Sequence, residues 1–328
     1  MSLDLFPLPP LWAGAFRLEE SIVLPGSPEE LWPHVADTDR INRMVGLPAI
    51  TYRFEALPSG SVRTWASARV LGMRLEWEEK PFVWMRPHGY DVERLFASGP
   101  IARMCVGIRV APEGRDSRVT AFGDFVARSA LQRPIARIIA RRSLRKLMGL
   151  LRQTGERLGR RVGYPRAMER VQARVDRRIL EDVREKMDGA DPVLAETLFR
   201  DLETLPDHDV VSMRPFEWAD GHGFARMAAL ELFLHATSHG VLDMCWALLC
   251  PHCGGSPAVV SHLADLPMTA QCDPCQARFA IELDRAVEAR FGVAPRVRRA
   301  KAELFCRGGP MNRPFVRGQW RLAPGAGQ

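Results

Sequence analysis

No run of about 18 apolar residues occurs anywhere in these 328 residues, so a membrane-spanning helix is not expected. The most apolar stretch, Met227 to Cys250, is broken by Glu231, His235, His239 and Asp243. The first sixteen residues hold Asp4 and no Lys or Arg, whereas an export signal starts with positive charge, so a cytoplasmic protein is expected. Also missing are a phosphate loop, a dinucleotide glycine fingerprint, a His-Glu-x-x-His pair and a nucleophile elbow. Their absence removes the commonest sequence signals for nucleotide-dependent and hydrolytic chemistry. There is no internal repeat and no low-complexity tract.

What is there is ordinary globular material. Hydrophobic residues make up 46% and charged residues 26%, enough to bury two or three domain cores. The net charge of +7 is unevenly placed. Arg128 to Arg178 carries 16 Lys/Arg against Glu156, Glu169 and Asp176. Glu181 to Asp209 carries 10 Asp/Glu against Arg184, Lys186 and Arg200. Such blocks are solvated helix faces, mutual partners, or surfaces for an anionic partner such as nucleic acid, membrane or an acidic protein.

Phe16 to Leu24 alternates as a strand does. Ser27-Pro28-Glu29-Glu30 then supplies an N-cap, a proline at the first helical position and a glutamate at the third. Strand-like runs follow at Ile50–Leu57, Val62–Leu71, Arg74–Trp84, Tyr90–Phe96, Ala102–Val110 and Arg118–Val126, separated by turn residues. A long basic helix starts near Leu131. A second helix is predicted from about Ala167 to Met187, on the stripe Val171, Val175, Ile179 and Val183, and a short one after Asp191-Pro192.

The order of strand, helix, six strands and long helix resembles a START-like (SRPBCC, helix-grip) domain over about residues 12–160. The opening strand, the Ser27-to-Trp32 helix start, the strands of Trp65 and Trp77, and the terminal basic helix carry the resemblance. It implies an α+β fold with a sheet curled round one helix, and a pocket for a hydrophobic small molecule. The expected division is a START-like domain over residues 1–162, a charged helical linker over 163–208, and a helical segment plus zinc ribbon over 209–328.

Cys250-Pro251-His252-Cys253 and Cys272-Asp273-Pro274-Cys275 form the sharpest motif, C-x2-C-x18-C-x2-C. Two knuckles of two thiolates each complete a tetrahedron, so Cys250, Cys253, Cys272 and Cys275 are the expected ligands of a structural Zn2+ with no open position. A redox pair or free thiols is the plainer alternative. Cys105 reads as core and Cys306 as a buried small hydrophobe, though Cys245 or Cys306 could stand in as a ligand.

Three weaker patterns complete the inventory. The segment from Arg214 to Ser238 resembles a helix-turn-helix, but its second helix offers only Arg226 to read a base, so packing is the expected role. Glu231, His235 and His239 share one helix face, more simply a polar face than a second metal site. Glu76, Glu78 and Glu79 are a carboxylate cluster on a strand, with Glu76 and Glu78 on one face that is expected to meet water. None of these makes a catalytic constellation.

From Met213 to Leu322 the chain is similar to an uncharacterised zinc-ribbon module found N-terminal to the catalytic domain of bacterial adenylate/guanylate cyclases. Arg214-Pro215-Phe216-Glu217, Leu232 to Thr237, Gly240 to Asp243, Trp246, both Cys-x-x-Cys knuckles and Cys306 to Pro310 carry this likeness. The cyclase domain of the longer family members is not in this sequence. The resemblance therefore implies a non-catalytic sensory or regulatory module acting on a cyclase domain or another protein partner. Two alternatives come from other classes: a nucleic-acid-binding regulator, and a START-like protein acting on a lipid or polyketide. Attachment of the basic helix to a membrane surface is a fourth reading.

Overall fold

The computed structural model describes residues 5–57, 62–70, 72–159, 173–186, 191–272, 275 and 277–322. Two units emerge, one within Met1–Met168 and Leu304–Gln328, the other within Glu169–Glu303. The chain thus leaves the first unit, builds the second, and returns. Of the segment expected as a linker, the described residues 173–186 and 191–208 fall in the second unit, and Leu304–Leu322 fall in the first.

In the first unit, strand β1 (Phe16–Leu24) leads into helix α1 (Pro28–Val35). The capping box forms as the sequence predicts. The Ser27 backbone N–H donates to Glu30 Oε2 at 2.7 Å, and the Glu30 N–H donates to Ser27 Oγ at 3.4 Å. Helix α2 (Thr38–Met44) follows directly, capped by Asp37. Then come β2 (Thr51–Ala56), β3 (Val62–Val70), β4 (Met73–Glu79), β5 (Val83–Met85), β6 (Gly89–Phe96), β7 (Ile101–Glu113) and β8 (Asp116–Ala127). The single run expected over Arg74–Trp84 is two strands, divided at Lys80-Pro81-Phe82, where proline lacks a ladder donor.

All pairings are antiparallel, in the order β1-β8-β7-β6-β4-β3-β2, with β5 on β6. The last helix, α3 (Arg133–Gly159), packs on β1 and β8. Strand alternation sends Val119 and Ala121 of β8, Ile108 and Val110 of β7, and Tyr90 and Val92 of β6 to the face that meets Met148 and Leu151 of α3 and Leu31, Trp32 and Val35 of α1. This is a helix-grip α+β architecture, as expected.

The opposite face of the sheet carries charge. Arg17 is paired to Asp124 at 2.7 Å and Arg109 to Asp91 at 2.7 Å. The chain before β1 lies over this face. Pro9 O accepts from Arg17, Pro7 O accepts from Arg109, and Arg109 lies 4.2 Å from the Phe6 ring centroid.

The second unit contains α4 (Arg177–Lys186), α5 (Pro192–Thr204), α6 (Asp207–Val210), α7 (Pro215–His222) and α8 (Arg226–Ser238). Strands β9 (Leu242–Leu248), β10 (Ala258–Val260), β11 (Thr269–Gln271) and β12 (Arg278–Ala280), helix α9 (Leu283–Ala286) and strand β13 (Val287–Val293) follow. Strand β9 pairs with both β10 and β13, while β11 and β12 form a separate hairpin. Val183, Leu198, Phe199, Leu232, Phe233 and Phe291 are among the residues of one apolar core. Helix α4 begins later than expected; Val171 and the Gly163-Tyr164-Pro165 break lie outside the described residues.

The buried guanidinium of Arg298 ties this unit together. It donates to the carbonyls of Leu202 and Leu205 at 2.9 and 2.7 Å and to Asp207. The carbonyls are those left open at the C-terminal end of α5, so the cation satisfies orphan acceptors where the helix dipole favours it.

Residues Leu304–Leu322 return to the first unit and end in β14 (Gly318–Gln319), which pairs with β5. Asp39 Oδ1 accepts the Phe305 and Cys306 N–H groups at 2.7 and 2.8 Å. The Cys306 side chain is fully buried in the grip core, beside the Thr38 hydroxyl at 3.1 Å. Gly309 must be glycine here, since a Cβ would stand on the Thr38 hydroxyl.

Candidate metal centre

The two Cys-x-x-Cys knuckles come from different elements. The first follows β9, and the second lies between β11 and β12. Both close in the same way. The Cys250 N–H donates to Gly255 O at 2.8 Å, and the Cys272 N–H donates to Ala277 O at 2.9 Å, each five residues on. In the first knuckle Gly254 adopts φ +73°, the left-handed conformation that glycine takes without strain, and its N–H returns to Cys250 O at 2.8 Å. These tight turns place both thiols of a pair on one side.

The four thiols converge. All lie within 4.8 Å of one another, and Cys250, Cys253 and Cys272 are buried. Cys250 Sγ is 3.5 Å from Cys275 Sγ, and Cys253 Sγ is 3.6 Å from Cys272 Sγ. None is joined in a disulfide. A tetrahedral cation with metal–sulfur bonds of about 2.3 Å needs sulfurs about 3.8 Å apart. The cluster fits that geometry, and four soft donors are the set that zinc prefers. Four protein ligands leave no site for a reacting water, so the arrangement can cross-link but not catalyse.

The electrostatics show why such a group wants a cation. Burial raises the Cys253 thiol to about 11, and burial likewise pushes Cys272 well above the ordinary thiol range. At Cys250 burial works in the same direction, but the N–H groups of Cys253 and His252 outweigh it and the thiol is held below its ordinary value. A bound cation opposes the burial penalty on the three buried thiols.

Cys245 and Cys306 are not in the cluster. Cys245 lies in β9 opposite Arg290, and Cys306 lies in the grip core. Cys105 is buried in β7, as expected. Glu231 and His235 are exposed, and His239 bonds through Nδ1 to the His235 carbonyl at 2.9 Å. They form no metal-binding group among the described residues. Arg226, the one base-reading candidate, is engaged by Asp220 at 2.7 Å, while Ala229, Leu232, Phe233 and Ala236 of α8 face the core. Glu76 and Glu78 point away from the grip interior and meet Arg53, Arg63, Arg74 and Lys80.

The third carboxylate of that cluster joins a buried polar group that the sequence did not predict. Glu79, next to those two, points the other way. It accepts from Arg94 at 2.9 Å and from the Tyr52 hydroxyl at 3.3 Å; Glu79 and Arg94 are buried and Tyr52 is half-buried. Burial, then the Glu79 charge, drives the Tyr52 hydroxyl far above its ordinary range. The Arg307 N–H reaches Tyr52 Oη at 3.3 Å, so the returning segment closes over this group. Strand alternation held the signal, because Glu79 shares its face with Leu75 and Trp77. Two more polar atoms stand in the interior: the indole N–H groups of Trp77 and Trp84 are buried and meet no acceptor among the described residues.

A family model described as a family of unknown function (DUF5939) matches residues 176–304. No curated protein matches the chain. Among solved structures, the chain is similar to the Zhui aromatase/cyclase from Streptomyces sp. R1128, at 14% identity and a TM-score of 0.33, over 44% of this chain and 96% of that one. It is similar to a START superfamily protein from Mycobacterium smegmatis at 13% identity and a TM-score of 0.31, over 43% of this chain and 98% of that one. It is also similar to Ara h 8.0201 at 14% identity and a TM-score of 0.30, over 42% and 97%.

Proposed function

We propose that this chain is a non-catalytic regulatory module, in which the helix-grip unit takes up a hydrophobic small molecule and the second unit is a platform stiffened by a structural zinc ion. The observation that carries the proposal is the return of the chain. Residues Leu304–Leu322, which follow directly on the second unit, build part of the first unit's core through Cys306 and Val316. A ligand that displaces side chains in that core acts on a segment covalently continuous with the metal-bearing unit. A bound state can then be passed on without a catalytic group.

The core that such a ligand would displace supports this reading. It is aromatic and aliphatic, and the buried Trp77 and Trp84 indole N–H groups are donors that an acceptor oxygen could satisfy. The ligand class is therefore an apolar molecule with one or two carbonyl, hydroxyl or ether oxygens. The resemblance to modules that precede cyclase domains makes an adenylate/guanylate cyclase catalytic domain the favoured partner. Nucleic acid is disfavoured, since α8 spends its side chains on packing.

Native mass spectrometry of the purified chain, with elemental analysis for metal, tests this reading. The expected result is one zinc per chain and a retained apolar mass that organic extraction removes. A chain without zinc, or cyclase activity from these residues alone, would sink it.

A further inference from the structure

The longest helix carries a second apolar face that the core does not use. Ala136, Ala140, Met148 and Leu151 bury one side of α3. Leu131, in the turn just before it, and Ile135, Ile138 and Ile139 lie on the other side, at spacings of four, seven and eight residues. They are exposed by 91, 53, 64 and 44%. Isolated exposed aliphatics are unremarkable, but four on one helical face form a contiguous patch that marks an interaction surface.

The charge around the patch has one sign. Between Asp124 and Glu156 the sequence has eight Lys/Arg and no Asp or Glu. Arg142 lies on the patch itself by helical spacing, and Arg128, Arg141, Arg145 and Lys146 flank it. Among the described residues, Arg133, Arg137, Arg141, Arg142 and Arg145 form no ion pair, whereas Arg152, further along the helix, pairs with Glu20 at 2.8 Å. Glu19 and Glu20 of β1 line a groove of about 370 Å³ with Arg141 and Arg145. The exposed aliphatics favour removal from water, and the unpaired cations beside them favour an anionic partner. They match a surface that is negative at its face and apolar just beneath.

We infer that this face of α3 docks on an anionic lipid bilayer, with Leu131, Ile135, Ile138 and Ile139 entering the headgroup boundary and the arginines held by lipid phosphates. The helix is fixed by its buried side, so the face is preformed and docking costs no helix formation. The placement is interfacial, since no helix among the described residues is long and apolar enough to cross a membrane. This inference stands apart from the ligand and zinc reading, which survives if it fails.

The test is cosedimentation of the full chain with phosphatidylcholine vesicles, with and without about one third phosphatidylglycerol, at about 0.1 M salt. The expected result is binding to the anionic vesicles only. Arg141→Gln with Arg145→Gln should lower the partition coefficient about 25-fold, about fivefold for each charge removed. Leu131→Ser with Ile138→Ser should abolish binding while the circular dichroism spectrum stays that of the parent, because neither side chain is in the core. No binding to anionic vesicles overturns the inference, as does a serine pair that binds like the parent. Binding to polyglutamate but not to vesicles overturns it in favour of an acidic protein partner.

Discussion

Stripping the metal should melt one loop region and spare the rest of its unit. From Gly255 to Ala280 the described residues bury a single side chain, Cys272. Strands β11 and β12 are three residues each, and a two-stranded hairpin of that size is not stable alone in water. The second unit's core, by contrast, draws nothing from between Met244 and Ala289. A structural zinc contributes about 10–16 kcal/mol of apparent folding free energy in small ribbons, comparable to the whole stability of a domain. Chelation, or Cys272→Ser, removes that locally. Amide hydrogen exchange followed by mass spectrometry is the assay. Amides of 250–280 should lose at least about a thousandfold in protection, which corresponds to about 4 kcal/mol of local stability. Helices α5 and α8 should keep theirs. Unchanged protection at 269–280 after verified metal loss would refute the cross-link role, and loss of protection in α5 and α8 together with the ribbon would refute its independence from the core.

Three further outcomes follow from the first unit. Glu79→Gln leaves the Arg94 guanidinium buried without its charge partner and should cost about 3–5 kcal/mol in urea unfolding followed by tryptophan emission, whereas Glu79→Leu combined with Arg94→Met should recover most of it. Asp39→Ala removes the acceptor of the Phe305 and Cys306 N–H groups and should release the returning segment, seen as new proteolytic cleavage between Leu304 and Leu322; an unchanged digestion pattern counts against that anchor. Burial raises Cys306 to about 12, while an unfolded thiol titrates near 8.5, so the stability from keeping it neutral is complete below about pH 8.5 and is lost as pH rises toward 12. Cys306→Ala should therefore make the alkaline decline shallower by about 1.4 kcal/mol per pH unit between those values, and equal slopes would show the thiol is not so buried.

The parts of this protein written in local chemistry were legible in its sequence. Ser27 to Glu30 announces a capping box because N-cap chemistry depends on four adjacent residues. The cysteine spacing announces a cation site because two turns suffice to build it. What was not legible depends on contacts far apart in sequence. The charged stretch read as a linker is helix α4 and α5, whose Leu180, Val183, Leu194 and Leu198 enter a core with Phe291. Its acidic residues gave the wrong impression because they serve specific partners: Asp207 holds Arg298, and Asp201 accepts from Trp218 and His222. Likewise nothing local marks Cys306 as a grip-domain residue, because its partner Thr38 lies 268 positions away.

On the proposed function, that return of the chain is what lets the two sharpest sequence signals serve one role. With a cation on its four thiols, a hairpin without its own core would be a rigid accessory, and rigidity is useful only if something presses on it. A helix-grip interior is a place where a small molecule can press. Leu304–Leu322 join the two by backbone, anchored by Asp39, Thr38 and β5 rather than by a loose tether. A substitution that weakens the anchor and leaves the cysteines intact, such as Asp39→Ala, should leave zinc content at one per chain while abolishing any effect of the apolar ligand on exchange in the second unit. If the ligand still alters that exchange when the anchor is lost, the returning segment is not the route of coupling.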